Sequence, residues 1–455
     1  MRTFRAAAIA ACALALLPGM SAAEMKVGAA KRAITPDLKL HGPVFMAGFG
    51  HNRQATEVHD DLYARCIAFS TGARPLVFCG VDLIGVFVDD VRKIRAKVDA
   101  DLVVASLHDH EGPDTMGLWG STEAQTGINE AYMSMMVDRT AETARDAIAA
   151  LRPARIRLGK IKTAELDTFI DDDRPPVVHD AEIVALRAES TDGKPIATLI
   201  NWANHPETLG SRNTLITADY SGYLCREVEA LLGGTAVFIN GAVGGLQSPR
   251  GAKVIDPKTG APFEERTFEK AEFIGTRVAR LAADSLEKSK PVALDAFLFR
   301  ETTIRIPMPN PGFLAAFKAG IFAGRKPPNE DGTTTTLVGY IRFSHGTRPE
   351  LEIALIPGEL YPEVSVGGIE RYAEADFPDS PIEPAIKQQM TAPYRMLFGL
   401  ADDEIGYIIP KSEWDEKAPY LRGAAKRWYG EVNSIGPEAA PSIAKAFQDL
   451  VRAGR

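Results

Sequence analysis

Apolar runs alternate with amphipathic stretches along most of the chain, as expected where strands and helices take turns in a mixed α/β fold. Short runs rich in β-branched and aliphatic residues predict strands at 75–83, 102–107, 181–186, 196–202, 236–239, 351–356 and 394–400. Two segments carry the helical period instead. In 131–151, Met133, Val137, Thr140, Ala144, Ile148 and Leu151 fall on one stripe, and in 268–286 Ile274, Val278, Leu281 and Ser285 do the same. Each ends beside a proline, Pro153 or Pro291, which cannot continue a helix. The pattern breaks at 306–336, where five prolines and the run Thr333 to Thr336 predict an insertion or lid-like excursion, with a plain surface loop as the alternative. A second Pro/acid loop covers 376–384, and no repeat of solenoid or propeller length appears.

Composition narrows the class. At 455 residues, with 45% hydrophobic and 25% charged residues, the chain suits a soluble globular protein of one large enzyme domain or two ordinary ones. Residues 1–23 read as a secretory signal: Arg2 and Arg5 form the basic start, 6–17 the apolar run, and Ser21-Ala22-Ala23 the small-residue cleavage site. That run is too short for a membrane anchor, so the mature chain, 24–455, is expected to be periplasmic or secreted, without a transmembrane segment. Cleavage removes two arginines and one cysteine, leaving a net charge of about −10 from the full chain's −8. An acidic chain without a basic tract is a poor nucleic-acid binder. Cys66, Cys79 and Cys225 show no CxxC spacing, so thiolate zinc is not indicated, and at most one disulfide forms among them.

Two clusters carry the candidate chemistry: Leu107-His108-Asp109-His110-Glu111-Gly112-Pro113 and Asn201-Trp202-Ala203-Asn204-His205-Pro206. The chain has only eight histidines, and three of them follow predicted strands here, beside turn-forming residues. A catalytic zinc site is assembled in this way from separated segments. Alternate residues of an extended segment point the same way, so His108 and His110 can face one cavity while Asp109 faces the other. One imidazole can then ligate while the other acts as acid/base or substrate anchor; a pair of solvent-facing loop histidines is the plainer reading. Glu359 follows a Pro357-Gly358 turn at the end of an apolar run, and Tyr407 lies in Gly406-Tyr407-Ile408-Ile409-Pro410. Both side chains are possible zinc ligands, though spacing alone does not single them out. Asn240 to Pro249 holds three glycines that let backbone amides approach a bound group, as an oxyanion or carboxylate pocket or merely as a tight turn. It lacks the nucleotide-binding spacings. Asp219 is a possible partner for a ligating histidine, or the cap of a helix at 221–232.

In order, these motifs resemble the neutral, non-lysosomal ceramidases, zinc-dependent amidases of N-acyl lipids. The resemblance spans nearly the whole mature chain. It runs from Gly28-Ala29-Ala30-Lys31-Arg32-Ala33-Ile34-Thr35-Pro36 and Met46-Ala47-Gly48-Phe49-Gly50, through His59-Asp60-Asp61-Leu62-Tyr63-Ala64-Arg65 and the two histidine clusters, to Pro-Gly-Glu and Gly-Tyr-Ile-Ile-Pro. It implies a catalytic domain of mixed β-sheets layered with helices, and zinc held by His108, His205, Glu359 and Tyr407. It implies His110 as acid/base near the metal, with Arg174, Ser248 and Tyr420 as further active-site residues. The chain departs from the family in its serine loop, where Gly244-Gly245-Leu246-Gln247-Ser248-Pro249-Arg250 lacks the usual aspartate and has one residue inserted before the serine. It is also expected to end where the family's catalytic domain ends, without the C-terminal immunoglobulin-like domain. The resemblance therefore implies a secreted zinc amidohydrolase that activates water against an N-acyl amide of a lipid or small molecule. A zinc hydrolase of another acyl substrate, such as an ester or acylated sugar, and a catalytically idle lipid- or glycan-binding relative stand as alternatives.

Overall fold

The apolar runs of the first half become neighbours in one nine-stranded sheet. In spatial order its strands are Thr235–Asn240, Pro195–Trp202, Ile183–Ser190, Arg152–Ile161, Lys26–Ala33, Tyr63–Ser70, Leu76–Val81 and Asp101–Ser106, with Pro291–Val292 pairing to the side of Arg152–Ile161. The inner pairings are antiparallel and the pair at each end is parallel. The sheet curls until its ends meet: the Asn240 side-chain amide donates to the carbonyl oxygens of Leu107 and Asn204, each at 2.8 Å. Segments leaving Asp101–Ser106 and Pro195–Trp202 therefore emerge side by side. The chain is seen here in a computed structural model that describes residues 25–172 and 174–454; the expected leader, 1–23, lies outside the described residues.

A second sheet of four strands packs against the first. Ala296–Pro307, Thr333–His345 and Arg348–Leu355 run antiparallel, and Tyr394–Phe398 joins the last in parallel. Between the sheets, Phe69, Phe78, Ile239, Ile341, Phe343 and Phe398 belong to one buried cluster. Asn201 stitches the layers, donating to the Leu397 carbonyl (2.8 Å) and accepting from the Leu397 amide (3.0 Å). Such pairing leaves a buried amide fully satisfied, which a buried polar group requires. Helices Glu130–Ala149, Asp219–Leu232 and Phe268–Glu287 cover the outer face of the large sheet, and Ala439–Gly454 covers that of the small one. Asn129 and Thr267 cap the first and third of these through their side chains.

Both predicted helices and all seven predicted strands are present, with ends moved by a few residues. The 306–336 excursion is shorter than its composition suggested. Ile304 to Pro307 pairs with Thr333 to Thr336 in a long hairpin, where β-branched threonines suit an extended ladder. The departure from the sheet is confined to 308–332 and contains the helix Pro311–Lys318. Cys66 and Cys79 face each other on adjacent strands and form a disulfide, while Cys225 is free and buried. Among the described residues no helix is long and apolar enough to cross a membrane.

Candidate metal centre

His108 leaves the Asp101–Ser106 strand on a backbone turned to φ +65°, a left-handed conformation uncommon for histidine. The turn brings its Nδ1 within 2.8 Å of the Ile84 carbonyl oxygen. His205, just past Pro195–Trp202, is tethered likewise: its amide and Nδ1 both meet the Gln247 carbonyl, at 2.9 and 2.7 Å. The His110 amide donates to the Pro206 carbonyl at 3.0 Å, which locks the two clusters together. Glu359 and Tyr407 arrive from the second sheet as direct partners in a two-residue parallel pairing, Glu359–Leu360 with Tyr407–Ile408. All five side chains are buried.

A carbonyl oxygen only accepts, so Nδ1 of His108 and of His205 must carry the proton. Their Nε2 atoms then converge on one oxygen, Oε2 of Glu359, at 3.3 and 3.1 Å. Two imidazole lone pairs and a carboxylate pointing at one another in a buried space repel unless a cation lies among them. Such a donor set with such backbone tethering could hold a metal ion. Burial alone would raise the Glu359 pKa; positive charge at the two Nε2 positions, from a proton or from a cation between them, overrides burial and holds it down to about 2. Burial and the Glu359 carboxylate push the Tyr407 phenol well above its usual value, and Tyr407 hydrogen-bonds Glu359.

His110 differs. Its donor atom lies within 4.8 Å of those of His108 and His205, so geometry admits it to a metal cluster, but its ring touches no backbone carbonyl and no Glu359 oxygen. Both ring nitrogens lack a hydrogen-bond partner among the described residues, and Nδ1 stands 3.5 Å from Oε2 of Glu207. Burial first, then the neighbouring His108, His205, Arg53 and Arg250, drive its pKa well below the usual range. The same Glu207 oxygen accepts from Arg250 at 2.9 Å, and the Arg250 guanidinium lies over Phe49, whose ring meets His110 edge-on. Gly48 is in the left-handed region (φ +90°), and a Cβ there would overlap the His110 ring.

Arg174, Ser248 and Tyr420 do not line the cleft above the histidines, and the hydrogen bonds of the first two go elsewhere. Arg174 is buried and consumed by Glu431 (2.7 Å), the Glu413 carbonyl (2.6 Å) and the Tyr361 hydroxyl (3.2 Å). It approaches the site through Tyr361, whose ring packs edge-on against Tyr407. The Ser248 hydroxyl accepts from the Arg250 amide at 3.0 Å, and its backbone pairs with Asp171. Tyr420 precedes a short 3-10 turn and does not line the cleft; Tyr429 does, packing against Tyr407. Among the described residues, Asp219 is hydrogen-bonded to none of His108, His110 and His205. It begins the helix Asp219–Leu232 and binds Thr208 Oγ1 (2.6 Å) and the Tyr220 amide (2.5 Å), fixing the loop after His205.

Sequence reasoning missed Glu207, Arg250 and Tyr429. Glu207 lies two residues past His205, within the same extended turn, and that spacing was a usable signal. Nothing local marks Arg250 or Tyr429, which reach the centre by loop packing. Above the histidines opens a cleft walled by Phe87, Met116, Trp119, Phe313, Phe317 and Phe322. The arrangement joins a metal-competent donor set, an untethered imidazole with a depressed pKa and an apolar channel.

No protein-family profile matches the chain, and no curated protein matches it significantly. Solved structures do. The fold is similar to that of neutral ceramidase from Pseudomonas aeruginosa, with a TM-score of 0.69 and 18% identity over 94% of this chain and 74% of that one. It is equally similar to a ceramidase complexed with C2, with a TM-score of 0.69 and 18% identity over 95% of this chain and 75% of that one. The chain has a neutral-ceramidase-like α/β fold.

Proposed function

We propose that the chain is an exported zinc-dependent hydrolase that cleaves an N-acyl amide bond of an apolar, lipid-like substrate. One observation carries the reading: two histidines with carbonyl-fixed tautomers aim Nε2 at a single buried Glu359 oxygen. His108, His205, Glu359 and Tyr407 fit zinc as a nitrogen/oxygen donor set. A bound zinc ion would supply Lewis-acid polarisation of the scissile carbonyl and activation of water.

The chain's own residues do the rest. His110, kept unprotonated by burial and its cationic neighbours, is ready to accept a proton and return it to the departing amine nitrogen. Glu207 faces its Nδ1 and sets the ring's orientation, and Arg250 holds Glu207 in place. The Tyr429 phenol lines the cleft beside Tyr407 and, protonated at neutral pH like any ordinary phenol, can donate to the developing oxyanion. Arg174 acts at a distance, bracing Tyr361 behind Tyr407. Ser248 fixes the loop that carries Arg250 and Gln247. The phenylalanine-rich walls favour an acyl or other long apolar chain and keep water from the reacting bond. The Cys66–Cys79 disulfide agrees with export to an oxidising compartment. The fold shared with neutral ceramidases adds support for the amide over other bonds.

Metal analysis of the purified mature protein should give about one zinc per chain, and His108→Ala should lose both zinc and activity while keeping its circular dichroism. A panel of N-acyl amides and matched esters, read by fatty-acid release, should favour the amides. Absence of zinc, or turnover of esters alone, would overturn the proposal.

A further inference from the structure

The loop that follows Thr235–Asn240 leads to Arg250, and a fully buried lysine braces it there. Lys270 Nζ donates to the carbonyl oxygens of Pro249 (2.7 Å) and Ala252 (2.9 Å), on either side of Arg250, and is itself paired with Glu265. The Arg250 amide donates to Ser248 Oγ, and the Ser248 backbone is paired with Asp171 through both its amide and its carbonyl. The guanidinium that this loop presents is 37% exposed. Its Nη1 donates at 2.9 Å to Oε2 of Glu207, the same oxygen that stands 3.5 Å from His110 Nδ1, and its centre lies over Phe49, 5.1 Å from the ring centroid. Nε and Nη2 have no hydrogen-bond partner among the described residues. A one-point pair with Glu207 thus leaves the Nε–Nη2 edge free, and its two parallel N–H groups match the two oxygens of a carboxylate. Arg53, the other arginine beside His110, offers no such edge: it is buried and donates to Glu111 and to the carbonyls of Ala47 and His110.

Position decides what the edge would meet. The turn Tyr429–Val432 packs on Gly244–Leu246, so Tyr429 and the Arg250 loop flank the cleft together, and the Arg250 charge reaches His110. Arg250 is not among the residues walling the apolar channel; it stands on the Glu207 side of His110. In the proposed hydrolysis the channel takes the acyl chain and His110 returns a proton to the departing nitrogen, so the group on that nitrogen leads past His110 towards Arg250. We infer that Arg250 determines specificity by binding a carboxylate on the amine half of the substrate, which makes the substrates N-acyl amino acids rather than uncharged amides. This deepens the proposed function and rests on it. The bond between carbonyl carbon and nitrogen breaks, the water oxygen joins the carbonyl carbon, and both water protons end on the nitrogen, leaving a fatty-acid anion and an amino-acid zwitterion. The carboxylate at Arg250 takes no part in the bond changes and holds the nitrogen against His110.

The test compares N-dodecanoylglycine with N-dodecanoylglycinamide, which differ only at the charged group. The kcat/KM of the mature, zinc-loaded wild type should favour the glycine conjugate by about tenfold to a hundredfold, the range of a charge-assisted hydrogen bond, and the margin should shrink as salt rises. Arg250→Gln should bring the two substrates level, and Arg250→Lys, which keeps the charge without the fork, should recover part of the margin. The ratio isolates recognition, because loosening Glu207 and His110 slows both substrates alike. The margin and its salt dependence are read on the wild type, so the question is decided even if a variant fails to fold. Equal turnover of the two amides by the wild type, or a ratio unchanged in Arg250→Gln, would overturn the inference. Should neither amide be cleaved, calorimetric binding separates the two claims. Tighter binding of the glycine conjugate, lost in Arg250→Gln, would uphold carboxylate recognition by Arg250 while rejecting the hydrolysis; equal binding of the two would reject the recognition as well.

Discussion

A methyl group at position 48 would collide with the His110 imidazole, and φ +90° already disfavours any side chain there. Gly48→Ala should therefore displace His110 while leaving the His108–Glu359–His205 contacts intact. The expected result is a fall of about a hundredfold in kcat/KM, since a misplacement near 1 Å costs that much, with zinc content unchanged by metal analysis. Loss of zinc together with activity would instead place His110 in the ligand set. At this scale the sequence was legible where chemistry is scarce and local. Histidines are few, and His108, His110 and His205 stand in turns after apolar runs, so they could be found one by one. Arg174 and Tyr420 could not be tested that way. Their motifs are short; the fold pairs Arg174 with Glu431, and Tyr429 rather than Tyr420 lines the cleft. Glu207 and Arg250 meet only because two loops are stacked by a curled sheet, which no local pattern encodes.

Among the elements, the turn after Leu76–Val81 carries a buried charge with consequences for stability. Burial raises the pKa of Asp82 to about 6, against the opposing pull of Arg65 and the Tyr63 amide (2.7 Å). The folded chain thus holds a proton that the unfolded chain, with its value near 3.8, has released. The stability from this group is fully present below the unfolded value and declines as pH rises to about 6, by roughly 3 kcal/mol. Asp82→Asn keeps the acceptor for Tyr63 and removes the titration. Its thermal midpoint should exceed that of the wild type at pH 7 and converge with it towards pH 4; a constant difference between the two would refute the assignment. Strands with uninterrupted apolar runs, such as Leu76–Val81 and Thr235–Asn240, were readable because they are buried on both faces. Ala296–Pro307 was not, because it stays largely half-exposed and alternates charged with apolar residues. The helix Pro311–Lys318 was hidden among prolines that read as loop, although Pro311 at its start is favourable for a first turn.

For the whole molecule, the expected ligands come from two separate layers: His108 and His205 from the curled sheet, Glu359 and Tyr407 from beside the smaller one. An ion held by both would clamp the layers. Chelation should lower the thermal midpoint, with a loss of about 3 kcal/mol where free zinc had stood a hundredfold above its dissociation constant, and readdition should restore it. A midpoint indifferent to chelator would mean that the layers hold together through the apolar core alone. The sheet order itself lay beyond sequence reading, since seven apolar runs do not say which strands sit at the closing ends. The pairing of Glu359 with Tyr407 is only two residues long, and side chains alternate between faces. A slip of one residue would turn one oxygen donor away from the histidines and leave the other without its neighbour. Under the proposed function, retention of the ion would report that register: misthreaded copies would emerge metal-free, and metal content alone would sort correctly from incorrectly assembled chains.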